Sequence, residues 1–294
     1  MPANIPNIPE PKQQLLNEIV GQLSETKGVL AVVLGGSYAS GTQHEKSDID
    51  IGLYYDEANP FSIEDIRSIA RKASPNADPT VTGFYEWGAW VNGGAWIHTQ
   101  LSRIDFLYRN IAHVQRTIAE AQEGIIHHDY DQQPTNGFYS VIYLAETQIC
   151  IPLYDPDGVI ATLKRQVEIY PPKLKQRIIR DSLWAAEFTL YHARGFADQG
   201  DIYNTVGCLT RVLSNLTQLL FAVNERYFIR EKKVMDDIAA FSILPPGYIQ
   251  QVNHLLSKPG STEQELKNTV SELEQIWYSV IAISGEKYAP TILN

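Results

Sequence analysis

The chain reads as α+β: a mixed sheet flanked by helices in the first half, then an all-α bundle. Three observations lead there. Apolar runs at 29–34, 49–53 and 94–108 are β-branched or alternate with a period of two, as strands do. From about residue 159 onward every apolar pattern has helical spacing. Between these regimes lies Tyr154-Asp155-Pro156-Asp157-Gly158, a turn-rich stretch, so domains of 1–158 and 159–294 are expected.

The elements follow in order. Residues 1–11 carry four prolines and read as an extended arm. Leu15, Leu16, Ile19, Val20 and Leu23 recur at helical spacing, and Gly28 ends that helix. Val29 to Leu34 is a buried strand, and Ile49, Ile51 and Leu53 alternate along a second. Residues 62–73 form a helix with Ser62 as N-cap. Aromatic and β-branched residues suggest strands at 81–91 and 94–109, with 94–99 and 103–108 paired as a hairpin. Helices are expected at 111–122 and 138–150, the latter stopped by Pro152. Beyond that, helices are expected at 159–169, 174–198, 202–227, 231–240, 246–257 and 262–284.

Composition narrows the function. The 294 residues include 24 Lys and Arg against 34 Asp and Glu, a net charge of −10. That balance argues against gripping long nucleic acid, which needs a dense basic face. A hydrophobic content of 44% excludes a disordered chain. Cys150 and Cys208 cannot build a disulfide framework. No run of about 18 apolar residues suggests a membrane span, and MPANIPNIPEPK lacks a signal-peptide pattern. A cytoplasmic protein without a membrane partner is therefore expected.

The chemistry concentrates in Leu34-Gly35-Gly36-Ser37, continued to Ser47-Asp48-Ile49-Asp50-Ile51. A strand ending in two glycines and a serine lets backbone N–H groups approach a bulky anion. Asp48 and Asp50, two residues apart on a strand, project from one face while Ile49 and Ile51 enter the core. Two adjacent carboxylates repel unless a cation sits between them, and a hard dication such as Mg²⁺ suits them.

This pattern resembles the nucleotidyltransferase superfamily typified by DNA polymerase β and the aminoglycoside and lincosamide adenylyltransferases. The resemblance implies a nucleotidyltransferase fold for the N-terminal domain, with the helical domain completing a substrate cleft. It also implies a third carboxylate on a strand beside Asp48 and Asp50. Asp105, in Ser102-Arg103-Ile104-Asp105-Phe106-Leu107-Tyr108, is the candidate. The stretches Trp87 to Gly94 and Phe221 to Phe228, the latter followed by Glu231-Lys232, are similar to a bacterial subgroup of nucleotidyltransferase-domain proteins.

The activity so implied is Mg²⁺-dependent transfer of an NMP, AMP first among them, from an NTP such as ATP to a hydroxyl, with release of pyrophosphate. The acceptor would be a small molecule, an antibiotic being one option. Asp48, Asp50 and Asp105 are the candidate metal ligands and catalytic residues, with Asp105 either a ligand or the general base. Gly36, Ser37 and Ser47 would cradle phosphates. Lys232, and next Lys233, would bring a cation from the helical half. Transfer to a protein or tRNA, or nucleotide binding without turnover, are the alternatives. The oligomeric state is not encoded in any of these features.

Other residues carry weaker signals. Gly36 to Thr42 lacks the Lys of a P-loop. His127-His128-Asp129 fits a surface turn better than a metal pair, and His44 and His98 fit loop or surface positions. Trp87, Trp90 and Trp96 read as core or domain-interface residues before a stacking platform, with one of them, or Tyr85, the candidate to line an acceptor pocket and Glu86 a pocket carboxylate for a cationic substrate. Glu187, Tyr191 and Arg194 share a helix face, either lining an interdomain cleft or solvated. Asn224 and Arg226 fit either cleft residues or helix caps. A ribonuclease reading of the helical half fails, because Ile249 and Glu187 stand where its arginine would precede His254 and His192.

Overall fold

The computed structural model describes residues 8–293. Residues 1–7 of the expected arm lie outside it. The chain forms two compact units, residues 1–120 with 128–169, and residues 121–127 with 170–294.

In the first unit, α1 (Glu10–Glu25) starts earlier than the apolar spacing suggests, since Pro9 is its N-cap and Pro11 fits its first turn. It packs Leu16, Ile19 and Leu23 onto the sheet. Then come β1 (Val29–Leu34), the short α2 (Gly36–Ser40), β2 (Ile49–Tyr55) and α3 (Ile63–Ala73). After β3 (Thr80–Val81), β4 (Gly94–His98) and β5 (Arg103–Asn110) form the expected antiparallel hairpin. Next are α4 (Ile111–Gln122), the two-stranded ribbon of β6 (His128–Asp129) and β7 (Phe138–Tyr139), and α5 (Val141–Ile149). The edge strand β8 (Ile151–Tyr154) and α6 (Val159–Gln166) complete the unit.

The main sheet is mixed, in the order β3-β4-β5-β2-β1-β8. Only β2 and β5 run parallel; the other neighbours are antiparallel. One face carries Ile49, Ile51, Leu53, Ile104, Phe106 and Tyr108, which form the core with α1 and α3. The other face carries the polar residues of β2 and β5.

Two local expectations change. Residues 82–93 are a braced turn rather than a strand, because Asn92 and Tyr85 adopt positive φ and Asn92 ties the Tyr85 N–H to the Tyr55 hydroxyl. Gln132 secures the same turn by accepting from the Trp90 and Val91 N–H groups and donating to the Trp87 carbonyl. Residues 151–154 add a strand where only a stop is expected; Pro152 is tolerated because β8 lies at the sheet edge. By packing, α6 belongs with the first unit, past Gly158. Its Ile160 and Leu163 are buried, and Lys164 donates to three carbonyls at the end of α5.

The second unit is helical: α7 (Pro172–Ala197), α8 (Ile202–Val223), α9 (Val234–Ala239), α10 (Tyr248–Ser257) and α11 (Glu263–Ile283). The long helices α7, α8 and α11 pack on one another through residues such as Leu183, Leu190, Leu209, Leu216, Leu273 and Trp277. Among the described residues α8 is long and apolar enough to cross a membrane, which the unbroken-run criterion overlooks because Asn, Thr and Arg interrupt it. Of its most apolar 18 residues, 61% are buried. Asn224 ends α8, and its side chain exchanges hydrogen bonds with the Ile243 backbone, so it is a cap.

Glu187 fits neither a cleft nor a solvated face. It is buried, and its carboxylate accepts from the Tyr288 hydroxyl and the N–H groups of Thr291, Ile292 and Leu293, clamping the C-terminal segment. Tyr191 stays exposed, while Arg194 pairs with Glu274 on α11.

Candidate active site

The Gly-Gly-Ser turn sits where β1 ends. Gly35 extends the pairing by one step, its N–H donating to the Asp50 carbonyl at 2.8 Å. Gly36 then turns with φ +57°, and a Cβ placed there would lie 1.7 Å from Asp50 Oδ2. The backbone of the turn and the Asp50 carboxylate are therefore in direct contact, which only glycine allows. Gly35 is different: its Cβ would meet nothing nearer than 3.8 Å.

The loop between α2 and β2 is held from α1. Lys12 is buried, and its Nζ donates to the Tyr38 hydroxyl at 3.2 Å and to the carbonyls of Glu45 and Ser47 at 3.1 and 3.2 Å. Ser47 is buried as well, its hydroxyl accepting from the His44 N–H at 2.9 Å. Its observed contacts thus hold the loop, whereas Gly36 and Ser37 are partly accessible at the turn.

Parallel pairing of β2 with β5 sets Asp50 directly beside Asp105. In-register neighbours share a face, so both carboxylates project from the polar side of the sheet. Asp48 immediately precedes β2. Arg103, two residues before Asp105 and hence on the same face, links them. Its Nη2 lies 2.6 Å from Asp48 Oδ2 and its Nε 3.0 Å from Asp105 Oδ1. The Asp105 contact is an ion pair without hydrogen-bond alignment, and Oδ1 is buried with no hydrogen-bond partner. Asp48, Asp50 and Asp105 thus meet at the end of β2 and β5 nearest the Gly-Gly-Ser turn. The sequence alone did not single out Arg103, although its spacing to Asp105 places it on that face.

Their electrostatics follow from crowding. Burial, then the charges of Asp105, Asp48 and Glu146, push the Asp50 carboxyl up to about 6 against a weaker pull from Arg103. Burial also raises Asp105, with Arg103 opposing and Asp48 adding to the rise. One guanidinium does not compensate three clustered carboxylates.

At the other end of the same face, Arg109 makes a bidentate pair with Glu146 of α5, both contacts at 2.9 Å. Burial works against the Arg109 charge, but Glu146 together with Tyr143 and Tyr54 outweighs it, and its pKa ends above the ordinary value. Antiparallel pairing places Trp96 of β4 opposite Asp105. Trp96 is 47% exposed and stacks on Trp87, ring centroids 5.0 Å apart. Trp90 instead packs with His113, Phe138 and Tyr143.

Sheet order thus lays out a row: the Gly36 turn, Asp50, Asp105, Trp96. His128 lies away from it in the β6–β7 ribbon, stacked on Tyr139. Lys232 and Lys233 belong to the second unit, exposed just before α9.

Residues 16–89 match the nucleotidyltransferase domain. The matched stretch includes the Gly-Gly-Ser turn, Asp48, Asp50 and Trp87, and supports an NTP as co-substrate of the nucleotidyltransferase domain. Residues 142–232 match a domain of unknown function, DUF4037. No curated protein matches the chain in sequence. Among solved structures, it is similar to a nucleotidyltransferase-like protein from Exiguobacterium sibiricum, at 13% identity and a TM-score of 0.45, over 92% of this chain and 76% of that one.

A divalent ion, which a nucleotidyltransferase domain usually employs, can be judged against the atoms present. Among the described residues no three acidic, His or Cys side chains form a ready metal cage. At the carboxylates, Arg103 is seated between Asp48 and Asp105. The donor set nonetheless suits a hard dication: every donor is a carboxylate oxygen, Asp105 Oδ1 is buried without a hydrogen bond, and Asp50 lacks a full counter-charge.

Proposed function

We propose that this chain is a nucleotidyltransferase that moves an NMP, AMP by preference, from an NTP to a hydroxyl of a small molecule, releasing pyrophosphate. The observation that carries the reading is the contact of the Asp50 carboxylate with the Gly36 turn, with Asp105 in register beside it.

In this reading the backbone of Gly36 and the hydroxyl of Ser37 receive the phosphates. Ser47 and Lys12 act at one remove by fixing the loop. Asp48 and Asp50 hold Mg²⁺, which when bound offsets the charge of the triphosphate and its leaving pyrophosphate. Asp105 lies between Asp50 and Trp96, so an acceptor resting on the Trp96–Trp87 pair brings its hydroxyl next to a carboxylate that burial has made more basic. Asp105 takes the proton from that hydroxyl. An exposed indole beside carboxylates favours an acceptor with a ring face and a cationic group. Lys232, with Lys233 next to it, is the cation proposed for the triphosphate.

The test is pyrophosphate release from NTPs with Mg²⁺ across a panel of hydroxyl acceptors. Asp48→Asn and Asp50→Asn should each lower turnover by about 100-fold or more while retaining the wild-type circular dichroism spectrum. Near-wild-type turnover in either variant would remove that residue from the metal site. Lys232→Ala should raise the KM for NTP with little change in melting temperature; an unaltered KM would exclude it.

A further inference from the structure

Arg103 sits among the carboxylates proposed above to hold a metal ion. Its guanidinium lies 2.6 Å from Asp48 Oδ2 and 3.0 Å from Asp105 Oδ1, spanning the two carboxylates that flank Asp50. Arg103 is the first residue of β5, its side chain is 44% exposed, and His98 stands opposite it on β4. An exposed pair of this kind contributes little to stability, typically about 0–1 kcal/mol. What it does is neutralise a cluster of like charges that would otherwise repel. A hard dication held by Asp48 would compete for the same carboxylate.

We infer that Arg103 is a resident counter-ion that a divalent metal must displace from Asp48, so that it sets the threshold of metal binding at this site. The inference rests on the metal site proposed above. Displacement needs only a side-chain rotation: a long, partly exposed arginine at a strand start can swing into solvent, whereas Arg109, buried on the same strand face, cannot. Metal and guanidinium are thus alternatives on one carboxylate. Metal binding breaks the Arg103–Asp48 pair, and the pair weakens metal binding by the same factor.

The experiment uses the full chain without nucleotide and measures Mn²⁺ binding by electron paramagnetic resonance, independently of turnover. Arg103→Ala should tighten the Mn²⁺ Kd by about tenfold. Arg103→Lys, which keeps the charge but loses the forked reach to both carboxylates, should fall between the two. The rise in melting temperature on adding Mn²⁺ should be larger for Arg103→Ala than for wild type, which also verifies that the variant folds. An unchanged or weaker Kd in Arg103→Ala overturns the inference. Asp50→Asn separates the two levels. If it abolishes Mn²⁺ binding while Arg103→Ala leaves the Kd unchanged, the metal site stands and the role of Arg103 falls. If wild type and Arg103→Ala both fail to bind Mn²⁺, both fall.

Discussion

Strand β5 carries two arginines on one face, six residues apart, and they behave oppositely. Arg109 is buried, forked onto Glu146 in a one-to-one pair, and further held by the Tyr108 carbonyl and the Tyr143 ring. Arg103 is exposed and spreads one charge over Asp48 and Asp105, with Asp50 beside them. At the covered end, charge is matched and fixed. At the open end, negative charge is in excess. An excess of carboxylate at an accessible end of a sheet face is where an added cation gains most, and the glycine turn lies against it.

The sharpest way to break this contrast is to remove each arginine in turn. Arg109→Met should cost about 3–5 kcal/mol in urea unfolding, because Glu146 is left without its partner. Arg103→Met should cost under about 1 kcal/mol. Equal losses would show that the two ends of the face are not distinct. A second comparison lies within the turn. Gly36→Ala must push the Asp50 carboxylate aside and should reduce nucleotidyl transfer by about 100-fold. Gly35→Ala has room and should stay within a few-fold of wild type. Similar activities for both would detach the turn from Asp50.

The smallest expected effect is in pH. A carboxyl raised from 3.8 to about 6 on folding binds its proton more tightly in the native state. The stability it contributes is fully present below its unfolded value and is lost as pH rises through about 6. In chelator-treated protein, Asp50→Asn should therefore be more stable than wild type at pH 7.5, by on the order of 2 kcal/mol. The gap should close by pH 4. A gap independent of pH would mean that the carboxylate cluster does not strain the native fold.

Much of this was legible in the sequence. The fold class, the 94–108 hairpin and the helical half followed from apolar period, because each face of each element meets one kind of neighbour. Asp48 and Asp50 stood out by their spacing after the Gly-Gly-Ser turn, and Asp105 through the family resemblance, which implies a third carboxylate on a neighbouring strand. Arg103, Lys12 and the Arg109–Glu146 pair did not. The partners of Lys12 and Arg109 lie far along the chain, as does Asp48, the second partner of Arg103, and a charge reveals its role only when its partner is known. Glu187 shows the same limit: helical spacing assigned it a face, but not the C-terminal segment that covers it. The turn at 82–93 was hidden because its aromatic residues have strand propensity, while Asn92 and Tyr85 impose positive φ.

Whether the carboxylates beside the Gly36 turn support nucleotidyl transfer is decided by following the α-phosphorus of the NTP. With an NTP labelled at that position, Mg²⁺ and an acceptor panel, wild type should yield a labelled acceptor and one pyrophosphate per transfer, and Asp50→Asn should yield neither. Label that never leaves the nucleotide with any acceptor, or release of inorganic phosphate from the γ position in place of pyrophosphate, would contradict it.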